Sequence, residues 1–250
     1  MSDFSTGKFK GLSKSQLPTV KANNLNDDDW QVAGIPLGDG NFWIYQDRNT
    51  RIEFGMNEVE IDINRFSRSH DNVQIFDNPK HLFLTKSGFE PGSNGLLGFT
   101  CNMKSKIING DLQDYKDCFC AFNVLDFGSA LVFDIVSNGR KVWVIYERLH
   151  IPGLTTIEES FTKIIPINLA VSPDAILECG VIYDRINDSA EYYIDGKIIF
   201  RVERVPVKID RLQTGFGIIT LHPIENGRSV SCKGQGGRGV WGGFAVWRTK

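Results

Sequence analysis

Hydrophobic and polar positions alternate with a period of two over short runs through most of this chain, and no stretch of ten residues holds a helical period. The clearest run is ALVFDIVSNGRKVWVIYE, residues 130–147. Its Asn138-Gly139 pair is a strong hairpin signal and predicts two strands with Ser137 opposite Arg140, Phe133 opposite Val144 and Asp134 opposite Trp143. Leu131, Phe133, Ile135, Val142, Val144 and Tyr146 then share a core face. The other face carries Val132, Asp134, Val136, Lys141, Trp143, Ile145 and Glu147, which is too apolar for a wet face and too acidic for a core. On this register Glu147 faces Ala130, about 13 Å along the strand from Asp134. That is beyond the spacing of a glycosidase carboxyl pair.

Turn signals recur between the other β-like runs: Gly38-Asp39-Gly40, Asp77-Asn78-Pro79, Pro91 to Gly95, Asn109-Gly110, Pro152-Gly153 and Asn226-Gly227. A second hairpin, EYYIDGKIIF, turns at Asp195-Gly196, with Tyr193 facing Ile198 and Tyr192 facing Ile199. Further strands are expected at Gly180–Ile186, Thr214–His222 and Val240–Arg248. The best helical candidate, Thr155–Phe161, is two turns at most. Nothing requires a parallel crossover, so the expected fold is all-β: a single antiparallel β-sandwich of jelly-roll type over residues 29–250. Residues 1–28 are polar and aperiodic and read as a flexible or edge N-terminal segment.

The run VIYDRINDSAEYYIDGKIIFRVERVPV (Val181–Val207), with Tyr192, Tyr193, Ile194, Asp195, Gly196 and Lys197 at its centre, resembles the concanavalin A-like lectin and glucanase superfamily. GFGIITLHP and the Gly-rich, aromatic last strand are similar to it as well. The segments DNPKHL, NVLDF, VFD, YERL and HPI-x-x-GRSVSC also resemble an uncharacterised bacterial and fungal branch, which implies no established activity. The resemblance implies the jelly roll; function must come from the site.

Composition narrows the classes. A net charge of −2 and scattered basic residues give no electrostatic footprint for nucleic acid or an anionic membrane. No run approaches the roughly 20 apolar residues of a membrane-spanning helix. The start lacks an apolar signal region, so a cytoplasmic location is expected. The five cysteines (Cys101, Cys118, Cys120, Cys179 and Cys232) show no C-x-x-C spacing and, with four scattered histidines, no metal pattern. They read as reduced thiols, with Cys118 and Cys120 as small core residues on one strand face.

Candidate chemistry centres on the mixed face. Asp134, Glu147 and His222 are expected to be catalytic, as proton donors or orienting groups. Trp143 is expected to pack on a ligand, and His81, Asn123 and Tyr183 to help bind it. The sandwich glucanases use E-x-D-x-E; the matching register is Glu60-Ile61-Asp62-Ile63-Asn64, where Asn64 cannot protonate a leaving group. Glu58, Glu60 and Asp62 therefore read as a solvated strand face. Gly234 to Gly239 formally matches G-x-G-x-x-G but precedes a strand, so a glycine-rich loop at the sheet rim is expected in place of a dinucleotide site. Asp27-Asp28-Asp29 reads as a solvated acidic run, and His70 and His150 as loop residues.

The expected function is a cofactor-independent acid/base enzyme (an isomerase, cyclase, lyase or hydrolase) acting on a small organic or sugar-like substrate. The alternatives are a non-catalytic, lectin-like saccharide-binding module and a glucan hydrolase. No cofactor, metal, nucleic acid or membrane partner is expected; edge strands permit a homodimer.

Overall fold

The computed structural model describes residues 9, 12–16, 29–36, 42–67, 80–151, 153–172, 174–222, 224–225, 228–229 and 232–249. The turns expected at residues 38–40, 77–79 and 226–227, Asp27, Asp28 and His70 lie outside them.

Two antiparallel sheets face each other. One has seven strands, in the order β12 (Phe161–Ile167), β11 (Val142–Arg148), β10 (Leu131–Ser137), β9 (Phe119–Asp126), β16 (Gln213–Ile219), β7 (Lys80–Thr85) and β2 (Trp30–Val32). The other runs β15 (Lys197–Val202), β14 (Ser189–Ile194), β13 (Leu177–Asp184), β8 (Leu96–Ile108), β19 (Gly236–Arg248), β6 (Glu58–Ile63) and β5 (Thr50–Phe54), with β1 (Ser13–Gln16) paired to the end of β19. Two small ribbons, β3 (Gly34–Pro36) with β4 (Phe42–Ile44) and β17 (Ile224–Glu225) with β18 (Arg228–Ser229), complete the described strands. Every pairing among them is antiparallel, as the alternation predicts.

Alternation places every second residue of each sheet between them. Phe133, Ile135, Val144 and Phe122 meet Phe99, Val181, Tyr192 and Trp241 in one continuous core. Phe216 lies 5.3 Å from Trp241, ring centre to ring centre, so the two sheets interlock through aromatic edges. The buried Trp241 indole N–H donates to the Ala121 carbonyl at 3.0 Å, which satisfies its one polar atom across the core. Cys118 and Cys120 are core residues as expected, and all five cysteines are unbridged.

Local departures have identifiable causes. The Asp195-Gly196 turn holds both residues at positive φ (50° and 73°), as a tight hairpin demands. A bulge after Tyr192 moves its partner from Ile199 to Phe200. Thr155–Phe161 makes no helix: Ser160 N–H reaches back to Thr156 and the chain then enters β12. The expected rim loop at Gly234 to Gly239 is mostly strand, because β19 begins at Gly236. A Cβ on Gly236 would lie 1.8 Å from the Ile63 carbonyl oxygen, so that glycine permits close strand packing. In the N-terminal segment, β1 lies on the edge of β19, and Phe9 is buried against Tyr193 and Trp247. No helix among the described residues is long and apolar enough to cross a membrane.

Candidate functional site

The outer face of the seven-stranded sheet carries a hollow of about 90 Å³. Its floor comes from β9, β10 and β11. Leu82 and Leu84 of β7 and Ile219 of β16 form one wall, and Ala33 and Tyr45 a second. Gly215 and Gly217 of β16 help shape the first wall. A Cβ on Gly215 would lie 2.3 Å from the Leu84 side chain, and one on Gly217 2.6 Å from that of Leu82, so the missing side chains let both leucines fold inward.

Asp134 and Glu147 both line this hollow, but on a register that differs from the sequence expectation. Ser137 pairs with Val142, Asp134 with Ile145 and Val132 with Glu147. The connection is four residues long, Asn138 to Lys141, in place of a two-residue turn. Asn138 explains it: its side-chain oxygen accepts from the Arg140 and Lys141 amides at 3.1 and 2.9 Å, and its amide donates to the Leu112 carbonyl at 2.9 Å. A shift of two residues preserves the faces and halves the separation. Asp134 and Glu147 become diagonal neighbours, roughly 7–8 Å apart between Cα atoms, in place of the expected 13 Å.

The environment of the pair is mixed. Asp134 is 5% exposed and Asn123, its direct partner across β9, is 4% exposed. Burial holds the Asp134 carboxyl well above the usual carboxylate range; Glu147 pushes it the same way, while a hydrogen bond from Asn123 and the Lys80 charge pull it down. Glu147 is half-buried and also raised by burial, against the Thr162 hydroxyl that donates to it at 3.0 Å and the charge of Lys80. One oxygen of Asp134 and the side-chain oxygen of Asn123 are buried with no hydrogen-bond partner among the described residues. Lys80, which sequence reasoning missed, lies half-buried in the wall with its ammonium 4.5 Å from the Tyr45 ring centre. Its only sequence signal is alternation with Leu82 and Leu84.

The other expected residues lie elsewhere. Trp143 shares the face but is 6% exposed, enclosed by Ile164, Phe119 and the Tyr115 ring at 5.8 Å, so it is no open stacking platform. His81 points into the core beside Phe83, where burial lowers its pKa to about 4 against a smaller upward pull from Asp47; both ring nitrogens lack partners among the described residues. Tyr183 is a core residue whose hydroxyl accepts the Ile209 amide at 3.0 Å.

His222 lies beyond the end of β16, among Asp117 at 2.5 Å, Asp114 at 3.1 Å and Lys233 at 3.1 Å. The three donor groups Asp114, Asp117 and His222 lie within 4.8 Å of one another, and the Lys233 ammonium also contacts Asp117 at 3.1 Å. Burial pushes the Asp117 carboxyl up, but the Asp111 amide, His222 and Lys233 outweigh it and hold it below the usual range. With the Gln235 amide on the Asp117 carbonyl at 3.0 Å, these contacts tie down the loop that brings Tyr115 over Trp143.

Glu58, Glu60 and Asp62 alternate along β6, in the opposite sheet, where Arg238 grips Glu60 at 2.7 Å. The described strands of the seven-stranded sheet carry no three acids at alternate positions; β10 presents Val132, Asp134 and Val136 to the hollow's face. The E-x-D-x-E arrangement is therefore absent from the face that bears the hollow.

The fold has solved counterparts. An endo-1,3-β-glucanase from Streptomyces sioyaensis aligns with a TM-score of 0.56 at 12% identity, over 95% of this chain and 97% of that one. A β-1,3-1,4-glucanase (lichenase) from a mouse hindgut metagenome aligns with a TM-score of 0.53 at 12% identity, over 96% and 99%. An endo-β-1,3-glucanase from Pyrococcus furiosus gives 0.53 at 14% identity, over 97% and 92%. At such identities the likeness establishes the fold: the concanavalin A-like jelly roll expected from the Tyr192–Lys197 hairpin. No curated protein matches the chain in sequence. Residues 12–250 match the model of a family of unknown function, DUF6081, and the chain belongs to that family.

Proposed function

We propose that the hollow is an acid/base site acting on a compact, largely apolar substrate. The observation that supports this best is the diagonal pair Asp134 and Glu147, facing one cavity of about 90 Å³ with mostly aliphatic walls. Asp134, deeply buried and with its carboxyl held well above the usual range, acts as the donor. Glu147, half-buried and held by Thr162, takes a proton in return. Lys80 offsets negative charge developing between them, and Asn123 orients the Asp134 carboxyl. Positioned proton transfer of this kind contributes about 10²–10⁴-fold to a rate. Asp134→Asn and Glu147→Gln should each remove turnover of a small-molecule panel by at least 100-fold and leave binding measurable. Unchanged turnover in both variants would refute the reading.

Glucan hydrolysis is the second reading, and the fold favours it, because the three aligned structures are described as glucanases. Asp134 and Glu147 also face one hollow, as a glycosidase carboxyl pair must flank one bond. Release of reducing sugar from laminarin or lichenan, with loss in Glu147→Gln, would support it. Binding of those glucans without release would instead support a saccharide-binding module.

A further inference from the structure

We infer that the hollow takes a ligand with a single hydroxyl on a compact aliphatic or aromatic ring, an alcohol or phenol whose O–H seats between Asn123 and Asp134. This narrows the acid/base reading above and rests on it. Asn123 and Asp134 are direct register partners on β9 and β10, so their Cβ atoms are roughly 4.5–5.5 Å apart. Each carries an oxygen buried without a partner, and both residues line the hollow. Two orphaned buried oxygens on paired residues that line one cavity call for one group that can both donate and accept. A hydroxyl is the smallest such group: it donates to the Asn123 oxygen and accepts from the protonated Asp134 carboxyl.

The walls exclude much else. Leu82, Leu84, Leu125, Val132, Ile145 and Ile219 offer no side-chain polar atom to a ligand. A sugar ring bears hydroxyls around its whole edge, and most would be desolvated against these residues with no partner. A ketone can accept from the protonated Asp134 carboxyl but leaves the Asn123 oxygen unpaired. An alcohol with one polar end matches the Asn123–Asp134 pair, with the mostly aliphatic lining around it and only Glu147, Lys80 and Tyr45 as further polar side chains.

Titration calorimetry on the full chain with cyclohexanol, cyclohexanone and laminaribiose tests this. Cyclohexanol is expected to bind at least tenfold tighter than cyclohexanone, the value of about one good hydrogen bond, and the disaccharide more weakly than either. Asn123→Ala should reduce cyclohexanol to the affinity of the ketone and leave the ketone unchanged; Leu84→Trp, which fills the hollow, should abolish both. The wild-type comparison holds even if a variant fails to fold. Equal alcohol and ketone affinities that both vanish in Leu84→Trp would overturn the hydroxyl assignment and leave the acid/base reading standing. Preference for the disaccharide, or binding of no probe in the hollow, would also overturn it. The acid/base reading itself is decided separately, by turnover in Asp134→Asn and Glu147→Gln.

Discussion

Replacing Asp134 by asparagine should make the protein more resistant to unfolding as the pH rises. The folded-state pKa of Asp134 is raised by burial, with Glu147 adding to the effect, whereas in the unfolded chain it returns to about 3.9. Over the window between these values the folded chain keeps a proton that the unfolded chain has lost. Stability therefore falls as pH rises through that window, at up to about 1.4 kcal/mol per pH unit for one full proton. For a domain of this size that slope is about 3–5 °C in Tm per unit. Asparagine keeps the shape beside Asn123 and cannot ionise, so the Asp134 slope disappears. Any cost of the new amide is a constant offset. Glu147 is raised in the same direction and leaves a residual slope in the variant. The assay is the urea midpoint of wild type and Asp134→Asn at half-unit steps from pH 4 to 7. The variant's relative stability should climb steadily across the series. Parallel curves, or a wild-type advantage that grows with pH, would show that Asp134 is not a buried acid of this kind.

Lys80→Met removes the cation that lowers both carboxyls, and should steepen the wild-type loss of stability between pH 4 and 7; an unchanged slope in the same urea series would count against Lys80 as their counter-charge. Gly217→Ala places a Cβ 2.0 Å from the His81 carbonyl oxygen, and overpacking of this kind costs about 1–3 kcal/mol, read as a lower denaturant midpoint. Asp117→Asn should cost about 1–3 kcal/mol at pH 7. Its sign with pH is opposite to that of Asp134: the depressed acid stabilises above its unfolded pKa, so the difference from wild type should shrink as pH falls through its folded value. Arg238→Met breaks a partly exposed pair between β19 and β6 and should leave stability within about 1 kcal/mol, with no effect on any activity that depends on Glu147; a large activity loss would point to Glu60.

The faces of the sandwich were legible because parity survives small errors. A register shift of two leaves Asp134, Trp143, Ile145 and Glu147 on one surface, and that surface does bear the hollow. The spacing was not legible, since it depends on Asn138 reaching Leu112, 26 residues away in the chain. His81 was misplaced because β7 is apolar on both faces: Lys80, Leu82 and Leu84 line the hollow while His81 and Phe83 enter the core. Alternation cannot orient such a strand. His222 was expected at the end of a strand Thr214–His222, but β16 ends at Ile219 and the chain turns toward the 111–117 loop. The glucanase-like motif on β6 already lacked its last carboxylate at Asn64, and it also lies in the sheet opposite the hollow, because sequence does not reveal which of two sheets a strand will join.

The length of the β10–β11 connection acts as a vernier on the chemistry of this sheet. Re-pairing the strands so that Ser137 faced Arg140 across a two-residue turn would slide one acid past the other by one step of the pleat repeat, to about 13 Å along the strand, and leave every side chain on its present surface. Hydrophobic burial would register no change, yet the two carboxyl groups could no longer act on a common small molecule. Among chains that share this architecture, the residue at the position of Asn138, by holding the four-residue tip or releasing it, is thus a way for reactivity to be switched on or off without disturbing the fold.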